Sequence, residues 1–199
     1  MHKPFLLLSL SAMALLTPQC APETPKAATT TSTSTEAAAQ PDPVKRGEYL
    51  VRILGCDDCH SPKIMTDRGP VPDPKLRLSG HPAQMPLPAI TDKKMVAPGQ
   101  WVLFHPMLTA AVGPWGTSYA ANLTPDETGL ANWSYEQFKK ALTEGKSKGM
   151  DNGRMLLPPM PWPNYVGMSE ADLTALFAYL KAIPAVKNVV PAPVPPAVN

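Results

Sequence analysis

Cys56-Asp57-Asp58-Cys59-His60 is the stretch on which the reading of this chain turns. Two thiols separated by two residues, followed at once by an imidazole, place three metal- and carbon-reactive groups in one short turn. Covalent haem attachment asks for that set: one thiol for each vinyl group, and an imidazole that reaches the iron from the same turn. A zinc site needs a fourth ligand, and in the folded part only His81 and His105 remain to supply it. A thioredoxin-like dithiol needs a lowered thiol pKa and a βαβ setting, whereas Asp57 and Asp58 oppose thiolate formation and no such setting is present. The pentapeptide is therefore read as the attachment site of one haem c, with Cys56 and Cys59 as the covalent links and His60 as an iron ligand.

Helix signals stand on both sides of this motif. Before it, Asp42 can cap a helix that begins at Pro43; Gly47, Leu50, Val51 and Leu54 then share one face, and Gly55 ends it. Further on, Ser134 and Gln137 form a capping box, Trp133 and Phe138 a hydrophobic staple, and Gly145 sits where the chain should leave a third helix. A last helix starts at Ser169, with Asp172 three residues on and Met168 and Leu173 as its staple; Leu173, Leu176, Phe177 and Leu180 form its apolar stripe. Pro184 follows, and the Pro-rich remainder, 189–199, reads as an extended tail. Between His60 and Ser118 there are ten prolines and no comparable helix signal. So long a stretch without regular elements is expected to wrap the haem or to serve a partner.

The sixth position of the iron decides whether a haem carries electrons or binds a small ligand. In Pro158-Pro159-Met160-Pro161-Trp162-Pro163, four prolines stiffen the backbone around one methionine and remove donors, so its thioether stands on a rigid loop. Met160 is the ligand expected from this. Met155 is the next methionine to consider, His81 and His105 would give bis-histidine ligation instead, and a flexible methionine that merely fills a core gap is the ordinary alternative. The indole N–H groups of Trp101, Trp115, Trp133 and Trp162 are available to haem carboxylates, with core packing as the default for each.

The start of the chain reads as an export signal. His2-Lys3 is weakly positive, and Phe5 to Leu16 is apolar but too short to span a bilayer, which makes 1–19 a signal peptide. Cys20 follows directly and precedes a tract rich in Thr, Ser, Ala and Pro, the arrangement of a bacterial lipoprotein; plain cleavage to a soluble periplasmic protein is the alternative. Lipidation also accounts for the odd count of 3 cysteines. Residues 20–41 contain almost no large apolar side chain and read as a flexible tether. Any membrane attachment of the mature chain then comes from the lipid or a partner. Cleavage before Cys20 removes Lys3, so a chain of 18 basic and 16 acidic residues falls from a formal +2 to +1. That balance gives no support to nucleic-acid binding, for which a strongly basic face is expected. The cluster Lys139, Lys140, Lys146 and Lys148 is a solvated helix face or a docking surface for a partner.

The order of parts, helix, Cys-x-x-Cys-His, methionine loop and terminal helix, resembles the class I cytochrome c family. Ala121-Asn122-Leu123-Thr124-Pro125-Asp126-Glu127-Thr128-Gly129 and Leu157-Pro158-Pro159-Met160-Pro161-Trp162 are similar to bacterial mono-haem cytochromes related to the cytochrome subunits of membrane-associated dehydrogenases. The resemblance covers Pro43 to Asn188. It implies an all-α fold with a long Pro-rich loop inserted after the haem motif, a close crossing of the first and last helices at Gly47, one haem c, His60 as proximal ligand and Met160 as distal ligand. This chain carries one haem motif where those subunits often carry several. The expected organisation is signal peptide 1–19, tether 20–41, cytochrome domain 42–188 and tail 189–199. The expected function is single-electron transfer between a redox donor and an acceptor, without catalysis by the chain itself. A peroxidase-like catalyst needs an open sixth position and acid–base groups beside it, and a gas-binding or redox-sensing protein also needs a labile ligand. Labelled fatty acid is expected to enter the wild-type chain and not Cys20→Ser, which places the protein on the periplasmic face of a membrane; an unlabelled wild type that begins at another residue contradicts lipidation.

Overall fold

Three of the four helices begin where a side-chain oxygen takes an otherwise unpaired backbone N–H. In this computed structural model, which describes residues 42–196, helix α1 spans Pro43–Ile53 and Asp42 accepts the N–H of Val44 at 2.9 Å. The expected signal peptide, the tether and Cys20 lie outside the described residues. Gly55, at φ 69°, turns the chain straight into the short helix α2, Cys56–His60. Helix α3, Tyr135–Glu144, carries the expected capping box between Ser134 and Gln137 and ends on left-handed Gly145. Helix α4, Glu170–Ala182, starts where Ser169 accepts the N–H of Asp172 at 3.1 Å.

The all-α expectation is corrected by the stretch between α2 and α3. Strands β1 (Lys63–Thr66) and β2 (Gly69–Pro72) form an antiparallel hairpin, and β3 (Leu103–Phe104), β4 (Ala110–Gly113) and β5 (Gly116–Tyr119) form a second antiparallel sheet in that order. The described fold is mixed, with four α-helices and two small sheets. The reason the strands escape a pattern reading is physical. None is longer than four residues, and β1 and β2 expose most of their side chains, so no apolar-in, polar-out alternation is written into them. Their turns carry the signal instead: Thr66 pairs with Gly69 across Asp67-Arg68, and Gly113 with Gly116 across Pro114-Trp115. The Pro-rich segment is thus a hairpin and a three-stranded sheet with loops between them rather than one structureless loop.

Leu50 and Val51 of α1, Leu78, Leu130, Phe138 of α3, and Ala175, Leu176, Tyr179 and Leu180 of α4 form one buried cluster. Leu173 is buried as well, whereas Phe177, expected on the apolar stripe, is half-buried and stacks beside Phe138 with ring centroids 5.2 Å apart. Helices α1 and α4 meet at Gly47. A Cβ there would stand 2.0 Å from the carbonyl oxygen of Ala175 and 2.6 Å from Cβ of Tyr179, so the absence of a side chain sets the crossing. Arg46 Nε adds a 2.9 Å bond to Asp172 along the same seam, partly open to water and of little energetic weight. Among the described residues no helix is long and apolar enough to cross a membrane.

Gly47→Ala is expected to force α1 off α4 and to destabilise the fold by about 3 kcal/mol. Urea unfolding monitored by circular dichroism measures this, and a midpoint unchanged from wild type contradicts the contact.

Candidate haem site

Helix α2 is only five residues long, so its free carbonyls need outside donors. Lys63 supplies them: its ammonium donates to the carbonyls of Asp57 at 2.8 Å, Asp58 at 2.9 Å and Ser61 at 2.5 Å. Asp57 is locked from the other side. Arg77 reaches it with Nε at 2.9 Å and Nη2 at 2.6 Å, Ser61 Oγ donates to it at 2.8 Å, and Arg77 Nη1 also meets the Tyr179 hydroxyl of α4. The turn that carries Cys56, Cys59 and His60 is therefore bolted to the core through a forked guanidinium–carboxylate pair. Asp57 and Asp58, read from the sequence only as groups that disfavour thiolates, do so here: burial first and the Asp57 charge second push the Cys56 thiol up to about 12. Burial and then Asp58 raise Cys59 in the same sense.

His60 is oriented by one bond. Its Nδ1 lies 2.7 Å from the carbonyl oxygen of Ala121, which can only accept, so Nδ1 carries the proton and Nε2 is the nitrogen left for a metal. Burial holds the imidazole below its ordinary pKa and hence neutral, the form that ligates. The acceptor is held in turn by the segment beneath the turn: Gly80 N–H donates to His60 O at 2.7 Å, His81 N–H to Ala120 O at 2.9 Å, and Leu123 N–H to Leu78 O at 2.8 Å. Gly80, at φ 81°, packs so closely that a Cβ would stand 2.5 Å from Ala120 O and 2.7 Å from Ala121 O.

Cys56, Cys59 and His60 open onto a cavity of about 990 Å³, at the upper end of the roughly 300–1,000 Å³ range of ligand pockets. Its walls are mostly apolar, with Leu123, Leu130, Trp133, Phe138, Leu156 and Leu176 among them. Met160 lines the same cavity. Of the methionines in the described residues it is the one that does; Met155 is 42% exposed on a bridge to Lys146. The Met160 loop is pinned by β5, whose Ser118 Oγ donates to Pro158 O at 2.6 Å, and it includes a cis bond between Pro158 and Pro159. Phe104, Leu108, Thr109 and Ser118 bring the Pro-rich segment to the cavity wall.

His81 and His105 do not line this cavity. His81 is fully buried, with Nδ1 against Thr109 Oγ1 at 2.9 Å and Nε2 against Met85 O at 3.1 Å, so both ring nitrogens are occupied within the protein. Among the described residues no cluster of three His, Cys, Asp or Glu side chains is placed to hold a metal ion. Of the tryptophans, Trp133 faces the cavity, Trp115 donates to Ser118, Trp162 covers Gly145, and Trp101 is exposed. Two lysines of the basic cluster are paired, Lys139 with Glu170 and Lys140 with Asp151. The residues that sequence reasoning missed are Ala121, Gly80 and Arg77. A backbone carbonyl leaves no sequence signal, and an ion pair across 20 positions has no local pattern.

No family model matches the chain. It is similar to the gluconate 2-dehydrogenase cytochrome c subunit of Pantoea cypripedii, 36% identical over 137 residues that are 68% of this chain and 22% of that protein. It is also similar to the alcohol dehydrogenase (quinone) cytochrome c subunit of Gluconobacter oxydans, 30% identical over 137 residues, 68% of this chain and 20% of that one. The chain is a homologue of dehydrogenase cytochrome c subunits. A third relative, the fructose dehydrogenase cytochrome subunit of Gluconobacter japonicus, is 28% identical over 147 residues, 73% of this chain and 22% of that protein. The chain thus spans about a fifth of the length of these relatives. The residues of this cytochrome c homologue fit a haem: a cavity of sufficient size, an imidazole with Nε2 free, two thiols and one thioether on its wall.

Replacement of Arg77 by Met leaves the Asp57 carboxylate without its guanidinium. A loss of about 2 kcal/mol in unfolding free energy is expected, and less for Tyr179→Phe, which removes one of the bonds. Denaturant titration of both variants checks the order; equal stability to wild type contradicts the clamp.

Proposed function

We propose that this chain is an exported electron carrier with one haem c, attached through Cys56 and Cys59 and ligated by His60 and Met160. The observation that carries the reading is that one apolar cavity collects both thiols, the imidazole with its outward nitrogen free, and a single methionine on a proline-stiffened loop. Haem supplies a one-electron couple; the protein supplies everything that restricts it. Ala121 keeps His60 in one tautomer, the Pro158–Pro161 loop keeps a thioether at hand, and the apolar wall excludes water. His60 and Met160 would both hold the iron, which would close off small-molecule chemistry and leave electron transfer between a redox donor and an acceptor.

The carrier role accords with relatives whose names describe cytochrome subunits of dehydrogenases, and a dehydrogenase is the natural class of donor. The signal peptide at 1–19, lipid on Cys20 and the tether at 20–41 would hold the domain from 42 onward at the periplasmic face of a membrane. Two or more acyl chains give stable anchoring where one gives only marginal binding.

Thioether sulfur favours ferrous over ferric iron relative to imidazole, so Met160→His is expected to lower the midpoint potential. Met160→Ala is expected to abolish the weak near-infrared sulfur-to-iron band of the ferric protein and to let the ferrous form bind carbon monoxide. Persistence of that band with an unchanged potential in Met160→Ala transfers the ligand role to another methionine.

A further inference from the structure

Among the described residues, the chain beyond α4 has no helix or strand of its own and five prolines between 184 and 196, yet Val189 to Pro193 line the same cavity as His60 and Met160. This stretch is fastened at both ends. On its near side, Asn188 Nδ2 donates to Ser79 O at 2.7 Å and His81 O at 2.9 Å, its Oδ1 accepts from Ala83 N at 3.0 Å, and its own N–H donates to Thr128 Oγ1 at 3.0 Å. On its far side, Val194 and Thr117 of β5 exchange two backbone bonds, 2.7 Å from Thr117 N and 3.0 Å from Val194 N. Gly116 makes room for this: a Cβ there would stand 2.1 Å from Val194 O. Two prolines within 189–193 restrict the unfolded chain, which reduces the entropy cost of laying the stretch across the cavity.

Valine, proline and alanine offer the cavity apolar surface and few donors. Ferric iron in a porphyrin carries one more positive charge than ferrous iron, and exclusion of water penalises the more highly charged state. We propose that residues 189–193 are a fixed strap that closes the haem cavity to water and keeps the reduction potential high, with the Val194–Thr117 pair as its latch and Asn188 as its anchor. The inference rests on the haem reading above, and it makes the extended tail a determinant of potential.

The test uses the full-length holoprotein, a chain stopped after Asn188, Val194→Pro, which removes the N–H donated to Thr117, and Val194→Ala, which keeps it. Midpoint potential and the rate at which added imidazole binds the ferric form are measured on each. The stopped chain is expected to show a lower potential and several-fold faster imidazole binding, Val194→Pro the same changes to a smaller degree, and Val194→Ala the wild-type values. Retained haem with unchanged potential and unchanged imidazole rate in the stopped chain overturns the strap. If the stopped chain does not hold haem, Val194→Pro decides in the same two directions, because it leaves the Asn188 anchor intact. A wild-type chain without haem overturns the haem reading itself, and the strap with it.

Discussion

The bond from His60 Nδ1–H to the carbonyl of Ala121 is the constraint around which the rest of the molecule is arranged. An imidazole on a five-residue helix has no reason to hold one tautomer or one angle unless an acceptor comes from elsewhere in the chain. That acceptor lies 61 positions away, in a stretch without regular structure. The chain from Leu78 to Leu123 is organised to bring it there. Gly80 bonds on one side to His60 O and His81 on the other to Ala120 O, and no side chain at Gly80 stands between them.

The second sheet answers a different need. As the proposed iron ligand, the Met160 thioether would be a weak donor, so its position would depend on the stiffness of what carries it. Prolines stiffen the Met160 loop internally, but a stiff loop must still be aimed, and Ser118 of β5 does that through Pro158 O. The same strand, one residue earlier, receives the tail at Val194. β5 therefore stands between the methionine loop and the C-terminal stretch and fastens both, which gives the Pro-rich segment a role in building the cavity wall.

What the sequence made legible were features whose cause is local. Asp42, Ser134 and Ser169 were readable as caps because a cap and its partner lie two or three residues apart. Cys56, Cys59 and His60 were singled out because they share one turn, and Met160 because prolines surround it, and the structure brings all four to the wall of one cavity. Gly47 at the helix crossing was an expectation of the family resemblance, and the 2.0 Å approach of Ala175 O gives it a steric reason. The strands were not legible because none exceeds four residues, too few to show a period, and β1 and β2 are largely exposed besides, which is why an all-α fold was expected and a mixed one found. Arg77, Ala121 and the fastened tail were invisible for a shared reason: each acts through a contact across many positions, two of them through backbone atoms that every residue possesses.

The central claim is that Cys56 and Cys59 bind haem covalently in this cavity, and acid–acetone extraction of the purified wild-type chain, followed by its mass, tests it most directly. The account predicts that the haem stays with the polypeptide and that the chain gains the mass of one haem. Haem recovered in the organic layer, or a chain at its bare polypeptide mass, contradicts it.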